Sequence, residues 1–203
     1  YILIVKPLKT NTMKHIKLKN IRLSSFKGVK SQEVTFHETV TSILGDNGTG
    51  KTTVFDAFLW LLFGKDSSDR SEFEIKHISQ NGNGTPRQAE VQATLSVDGS
   101  PITFKRTLRE KWVRKRGALH VEFAGNETLF QVDDVPLSMK EYQDKVAELC
   151  QEHTFRLITN PLYFSSMKWQ AQREILFEMA SQRIDDASLI SQNKDYEALL
   201  DRL

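Results

Sequence analysis

The sequence predicts an α/β fold with a mixed sheet, an antiparallel strand layer and flanking helices. Three patterns in its 203 residues lead to this prediction. Alternating apolar and polar residues indicate strands, and apolar residues at helical spacing indicate helices. The third pattern is a glycine-rich loop at residues 45–52, which joins an apolar run to a helix. A loop in that position is typical of α/β proteins that bind phosphate groups.

The composition fits a globular chain of one domain, or of one domain with a small appendage. Lys and Arg number 28 against 26 Asp and Glu, so the overall charge does not indicate nucleic acid. The single cysteine, Cys150, excludes an intrachain disulfide and indicates a reducing compartment. The most apolar stretch, residues 54–63, is about half the length of a membrane span. We therefore expect a cytoplasmic protein without a membrane partner.

The N-terminal part contains three predicted strands and one helix. Alternation predicts strands at residues 14–22 and 32–36, with a turn at 24–28. The short apolar run at residues 40–44 predicts a buried strand that ends at the glycine loop. Residues 52–63 are apolar on nearly every side, which predicts a helix that is buried on most of its faces.

The rest of the chain alternates polar connections with shorter elements. Residues 64–88 form a long polar loop, and loops of this length are usually functional or mobile. Alternation on both sides of residues 98–100 predicts a β-hairpin. Further predicted elements are short strands at 121–123 and 128–132, and helices at 140–150, 169–180 and 184–203.

The strongest chemical signal is the run Gly45-Asp46-Asn47-Gly48-Thr49-Gly50-Lys51-Thr52, which matches G-x-x-x-x-G-K-[ST] in full. Glycines let the backbone turn its N–H groups inward around an anion, and the following helix adds its positive end. Lys51 can reach the β- and γ-phosphates, Thr52 can ligate Mg²⁺, and Thr53 can donate to the α-phosphate. The predicted ligands of ATP with Mg²⁺ are Gly45, Asn47, Gly48, Thr49, Gly50, Lys51, Thr52 and Thr53.

Hydrolysis also needs a carboxylate that orders the metal and the attacking water. The nearest candidates are Asp133 and Asp134, but Gln131 interrupts the apolar run before them. The following Val135-Pro136 favours a β-turn over an active-site strand end. The catalytic half of an ATPase is therefore not evident in these 203 residues.

The order of these motifs resembles the N-terminal half of an SMC-like ATPase head. That group includes the SMC proteins, the SbcC-type nuclease-partner ATPases, RecF and RecN. The motifs are Ile16-x-Leu18-x-Asn20, Phe26-Lys27-Gly28, Val34-x-Phe36 and the loop Gly45–Thr53, whose Asn47-Gly48 fits the group's narrower loop pattern. Residues 63–66 and 160–164 look most like heads encoded in bacterial and phage genomes.

The resemblance implies the N-lobe of an ABC-type P-loop NTPase head. Residues 13–168 would be this ATP-binding lobe, and residues 169–203 would lead toward a coiled coil. Residues 1–12 would be an extension or a mis-assigned start, and the chain would be a fragment. A separate C-terminal lobe of the same protein would carry the signature motif, the Walker B acid and the switch histidine.

The resemblance also implies roles for two residues outside the loop. Lys27 matches the basic residue of a turn that lies near the base and ribose. Asn160 stands where the group has a glutamine that contacts Mg²⁺ and the attacking water. Asn carries the same amide on a shorter stem, and an Asn-Pro turn is the competing interpretation. Lys51 and Asn160 are thus the catalytic candidates, and Thr52 and Asn160 the metal-ligating ones.

One segment is strongly basic. Between Pro101 and His120 there are seven Lys and Arg residues against Glu110 alone, with Trp112 among them. This asymmetry favours contact with a phosphate backbone, while a solvated hairpin remains the alternative. The DNA-binding candidates are Lys105, Arg106, Arg109, Lys111, Arg114, Lys115 and Arg116.

These observations lead to a functional hypothesis. We expect the ATP-binding lobe of an SMC-like ATPase acting in DNA repair, recombination or chromosome maintenance. The protein would be bacterial or phage-encoded and nucleoid-associated. Its partners would be its own C-terminal lobe, a second head, double-stranded DNA and a nuclease. ATP would drive head dimerisation, and the isolated lobe would not turn ATP over. The alternatives are a self-contained small P-loop NTPase or kinase, and a nucleotide-sensing module that does not hydrolyse ATP.

Overall fold

The computed structural model describes residues 2–5, 14–76, 88–114, 120, 122–160 and 162–181. They separate into two compact units, Tyr1–Thr154 and Phe155–Leu203. The predicted helix at residues 184–203 and most of the predicted N-terminal extension lie outside the described residues. The predicted domain division at residue 168 stays a prediction.

The first unit is built on a seven-stranded sheet. Its strands are β1 (Ile2–Val5), β2 (Lys14–Phe26), β3 (Val29–Thr35), β4 (Gln88–Val97), β5 (Ser100–Val113), β6 (Glu122–Val132) and β7 (Val135–Leu137). The order is β1-β2-β4-β5-β6-β7, and β3 also pairs with β2. All described pairings are antiparallel, so this sheet is the antiparallel layer of the predicted fold.

Two helices of this unit pack on one face of the sheet. They are α1 (Lys51–Phe63), which follows the glycine loop, and α2 (Met139–Leu149). The α1 residues Val54 and Ala57 through Leu62 are buried, as the apolar character of this helix predicted. The ring of Tyr142 in α2 packs against Phe104 and Phe130 of the sheet, with centroids 5.6 and 5.0 Å apart. The core therefore lies between these helices and the sheet.

A β-bulge keeps the apolar side chains of β2 on the core face. Ile16 is buried at an even position, whereas Ile21 and Leu23 are buried at odd positions. The register with β4 shifts between Leu18 and Asn20, which inserts Lys19 as an extra residue. Because side chains alternate with period two, one extra residue restores the same face.

The second unit contains short helices. α3 (Glu152–Thr159) crosses the boundary between the units, and α4 (Tyr163–Ser166) and α5 (Trp169–Ser181) follow it. The helix predicted at residues 169–180 is therefore confirmed. No helix among the described residues is long and apolar enough to cross a membrane.

The structure corrects three expectations about elements. Residues 40–44 are not a strand, and Val40 and Leu44 are 74% and 89% exposed. No described strand lies beside this run, so its backbone groups have no ladder partners. The two short strands predicted after residue 120 are one continuous strand, β6, because Gly125 (φ 105°) accommodates a bulge between them. The five-residue turn predicted at 24–28 narrows to Lys27-Gly28 between β2 and β3.

Candidate nucleotide site

The glycine loop wraps around the N-terminal end of α1. Gly48 and Gly50 have φ values of 82° and 92°, in the left-handed region that favours glycine. A Cβ on Gly45 would lie 2.6 Å from the Thr49 hydroxyl, and one on Gly50 would lie 3.2 Å from a methyl group of Val29. Side chains at Gly45 and Gly50 would therefore disturb the tight path of the loop.

The N-terminus of α1 presents a positive electrostatic end. Its N-cap is Gly50, which has no side chain to accept a hydrogen bond, and its first turn contains no acidic residue. The first N–H groups of a helix have no partners within it, and they carry the positive end of the helix dipole. Such an end is favourable for phosphate groups and other anions.

Lys51 lies inside the loop. Its ammonium donates to the carbonyl oxygens of Gly45 and Asp46, each across 2.6 Å. The Thr49 hydroxyl also donates to the Asp46 carbonyl, across 2.8 Å. The structure thus brings together the predicted loop residues, and residues 45–49 and Thr52 are exposed to solvent.

Lys27 lies close to this loop but is already engaged. Its ammonium is 2.6 Å from a carboxylate oxygen of Asp56 in α1 and 4.7 Å from the centre of the Phe73 ring. Val29, two residues further on, is the residue that a side chain at Gly50 would meet. The Lys27-Gly28 turn and the glycine loop are therefore neighbours.

Sequence reasoning did not find Asp56 as a partner of Lys27. The signal was available, because Asp56 is the only ionisable residue in the apolar stretch of residues 54–63. A carboxylate buried in such a helix requires a charged or hydrogen-bonding partner. Asp56 is 6% exposed and has two such partners, Lys27 and the backbone N–H of Ser67.

Asn160 lies in the second unit, at the end of α3. Its side-chain oxygen accepts a hydrogen bond from the N–H of Leu162 across 3.0 Å, which is the Asx-turn geometry of the competing interpretation. Its role toward metal or water stays a prediction. Pro161 lies outside the described residues.

The two acids considered for catalysis form a hairpin turn. Asp133 and Asp134 have φ values of 49° and 63° between β6 and β7, as in a type I′ turn. The Asp133 carboxylate accepts a hydrogen bond from the N–H of Thr103 across 2.7 Å. The turn interpretation is confirmed. These two acids therefore give no support to the alternative of a self-contained kinase, which would need a catalytic carboxylate.

No described residues form a cluster of three or more His, Cys, Asp and Glu side chains that could hold a metal ion. Thr52 is exposed at the first turn of α1, and its role as the Mg²⁺ ligand stays a prediction. The remaining ligands would be phosphate oxygens and water, as Mg²⁺ prefers.

The predicted DNA-binding cluster is largely dispersed. Arg106 lies on the core face, where it donates to the Trp60 carbonyl across 2.8 Å and stacks between Trp60 and Phe130. Its assignment to DNA is wrong, because this guanidinium is occupied by the end of α1. Lys105 pairs with Glu90, and Arg109 pairs with Glu127.

The end of the β5–β6 hairpin keeps the exposed part of that cluster. Lys111 and Arg114 are exposed there, next to Trp112 and Phe123, whose rings meet edge to face at 5.8 Å. Trp112 and Phe123 are 45% and 54% exposed. The remaining candidates, Lys115 and Arg116, lie outside the described residues.

Known proteins resemble this chain in sequence and in fold. The sequence profile of the AAA domain matches residues 15–203. A DNA double-strand break repair Rad50 ATPase from Methanococcus maripaludis is 27% identical over 145 residues, which are 66% of this chain and 14% of that protein. A DNA replication and repair protein RecF from Clostridioides difficile is 22% identical over 152 residues, which are 71% of this chain and 41% of that protein. The chain therefore spans less than half the length of these relatives.

The fold matches a solved structure from a study of ATP-driven dimerization and DNA-stimulated activation of SMC ATPases. The TM-score is 0.58 at 16% sequence identity, and the match covers 80% of this chain and 98% of that one. This likeness concerns the fold, and it confirms the predicted architecture of an antiparallel layer with flanking helices.

Proposed function

We propose that this chain, which belongs to the AAA domain family, is the N-terminal part of an SMC-like ATPase head of the SbcC and RecF type. In this proposal it binds ATP with Mg²⁺ for a DNA-repair machine. The observation that carries the proposal is the loop at residues 45–52, which curves over an uncapped helix N-terminus with Lys51 inside it.

In this proposal the loop and its neighbouring residues bind different parts of the nucleotide. The N–H groups around Gly48 and at the start of α1 hold the phosphate oxygens. Lys51 leaves the carbonyls of Gly45 and Asp46 and neutralises the β- and γ-phosphates. Thr52 contributes its hydroxyl to Mg²⁺, which screens the negative charge of the phosphates when bound. Thr53 donates to the α-phosphate, and Lys27 contacts the base and ribose side.

A complete ATPase site would need residues from a second lobe in addition to the loop. The apolar run before the loop pairs with none of the described strands and is exposed at Val40 and Leu44, which supports a second lobe whose strands pair with it. We expect that lobe, from the same full-length protein, to supply the acid of hydrolysis, and a second head to close over the nucleotide. Asn160 would position the attacking water there.

ATP binding would act as a removable clamp. Two heads that close around two nucleotides would bind each other only while both nucleotides are intact, so the nucleotide state would decide whether the heads are joined or apart. Two relatives are named for DNA double-strand break repair and for DNA replication and repair, which supports DNA as the substrate. A nuclease is a further partner in this proposal.

The end of the β5–β6 hairpin is the part of this chain that we assign to DNA. Lys111 and Arg114 supply positive charge, and the exposed Trp112 supplies a flat surface for sugar or base. We expect a double Lys111→Glu, Arg114→Glu variant to weaken duplex binding several-fold and to reduce its salt dependence by about two phosphate contacts. Unchanged affinity and salt dependence, measured by fluorescence anisotropy, would exclude this assignment.

The nucleotide assignment is tested by calorimetric titration with MgATP. The chain should bind, and Lys51→Ala should weaken binding by at least about tenfold, because a hydrogen bond to a charged group is lost. Lys30→Ala, at an exposed lysine of β3, is the matched control. Equal affinities for wild type and Lys51→Ala would overturn the proposal. Turnover by the full-length protein would then separate an ATPase from a nucleotide sensor.

A further inference from the structure

A buried carboxylate joins three separate segments beside the phosphate loop. Asp56 lies on α1, five residues after Lys51. One of its oxygens accepts from the Lys27 ammonium across 2.6 Å, and the other accepts from the N–H of Ser67 across 2.9 Å. The side chains of Lys27 and Asp56 are 22% and 8% exposed, so the pair is shielded from water and less screened than a surface pair.

The Lys27 turn is fixed from several sides. Lys27 has a φ of 50°, which is uncommon for a residue with a side chain. Its backbone N–H donates to the carbonyl of Ile75 across 2.6 Å, and Phe26 forms a β-bridge with Lys76. Such a conformation persists only where the surroundings hold it.

The same turn touches the phosphate loop. Val29 lies where it would meet a side chain on Gly50, the last loop residue before α1. The turn is therefore fixed relative to the loop at two points: the Val29 methyl group lies beside Gly50, and the Lys27 ammonium contacts the carboxylate of Asp56 in α1.

We propose that Asp56 is a positioning residue of the nucleotide site, which aims Lys27 at the nucleoside side of bound ATP. This inference rests on the proposed function, in which Lys27 contacts the base and ribose. A lysine has a flexible four-carbon stem and cannot fix its own direction. The buried carboxylate holds the ammonium in one place, and the Ser67 N–H holds the carboxylate.

The phosphates and the nucleoside of ATP should depend on different residues. Lys51 and the loop amides act on the phosphates, whereas Asp56 acts through Lys27 on the nucleoside. Asp56→Asn should therefore weaken MgATP binding about tenfold, since it removes a charged hydrogen bond. Binding of Mg-tripolyphosphate, which has no nucleoside, should remain unchanged. A role of Asp56 in folding alone would change both ligands together.

The experiment is a calorimetric titration of the chain with each of these two ligands. The variants are Asp56→Asn, Lys27→Ala, their double variant, Asp56→Glu and Lys51→Ala. The control is Glu33→Gln, which removes the acid of an exposed pair with Arg22 on the same β2–β3 hairpin. The double variant should bind ATP no more weakly than Lys27→Ala, and Asp56→Glu should recover part of the lost affinity.

The outcomes distinguish a failure of the proposed function from a failure of the role of Asp56 alone. If wild type and Lys51→Ala bind ATP equally or not at all, the proposed function fails, and this inference fails with it. If Lys51→Ala loses ATP but Asp56→Asn does not, the inference alone is overturned. It is also overturned if Asp56→Asn loses ATP and tripolyphosphate to the same extent, or if the Lys27 and Asp56 effects add independently.

Discussion

The guanidinium of Arg106 donates a hydrogen bond to the backbone carbonyl of Trp60 across 2.8 Å and so joins the middle of β5 to the last turn of α1. The same carbonyl accepts from the N–H of Gly64, which ends the helix in a left-handed conformation at φ 77°. The Arg106 side chain fills the space that a Cβ on Gly64 would need, 2.9 Å from its nearest nitrogen. The helix that follows the glycine loop is therefore fixed to the sheet at its far end by a cation, which the helix dipole favours.

Arg106→Leu should lower the free energy of unfolding by about 1–3 kcal/mol, because a partly buried charged hydrogen bond and two cation–π contacts are lost. The loss is moderated because burial lowers the pKa of Arg106 to about 10, and the Nε atom has no partner among the described residues. Urea denaturation measures the effect. Arg109→Leu is the control, since its pair with Glu127 is half exposed and should contribute less than about 1 kcal/mol. Equal losses for the two variants would contradict this account.

The Tyr142 hydroxyl donates to the Leu61 carbonyl, one residue after the contact of Arg106. Burial raises the pKa of Tyr142 above its ordinary value of 10, so the folded protein keeps a proton that the unfolded chain releases in alkali. The contribution of this group to stability is complete below pH 10 and declines above it. The difference in unfolding free energy between wild type and Tyr142→Phe, about 1 kcal/mol at neutral pH, should therefore shrink above pH 10. A difference that is constant from pH 7 to alkaline pH would show that Tyr142 ionises equally in both states.

Gly50 in the glycine loop and Gly28 in the neighbouring turn should respond differently to alanine. Gly50 has a φ of 92° and little space beside Val29, so Gly50→Ala should cost about 1–3 kcal/mol of stability and weaken MgATP binding. Gly28 has no atom within 4 Å of a new Cβ and is not in the left-handed region, so Gly28→Ala should change stability by less than about 1 kcal/mol. Thermal unfolding with and without MgATP measures both. Similar losses at both glycines would contradict the assigned backbone constraint.

Asp66 is 1% exposed in the segment that follows α1. Its burial alone would raise its pKa, but hydrogen bonds from the backbone and side chain of Arg70 and from the N–H of Ser68 outweigh burial, and the pKa is lowered. The carboxylate therefore stabilises the fold above its ordinary pKa, and this contribution is lost as the pH falls. Wild type should lose more stability than Asp66→Asn between about pH 5 and pH 2. Parallel pH profiles from denaturant titrations would refute this role.

Much of the fold could be predicted because its signals are local. The strands around residues 98–100, the helix after the loop and the helix at 140–150 are confirmed within a few residues, since each depends on the periodicity of its own segment. The run at residues 40–44 could not be predicted correctly from its own composition. An apolar run becomes a strand only where another strand pairs with it, and none of the described strands does so.

The sequence by itself determined the phosphate loop, because the glycines, Lys51 and Thr52 carry their chemistry in their order along the chain. It also contained a signal for Arg106, which alternates in phase with Ile102 and Phe104 on the core side of β5. Only the tertiary structure decided that Arg106 binds the end of α1 rather than DNA, and that Asp56 holds Lys27. Trp60 and Arg106 are 46 residues apart, and Lys27 and Asp56 are 29 residues apart. The sequence shows which residues are charged, but the partner of each charge depends on which segments the folded chain brings together.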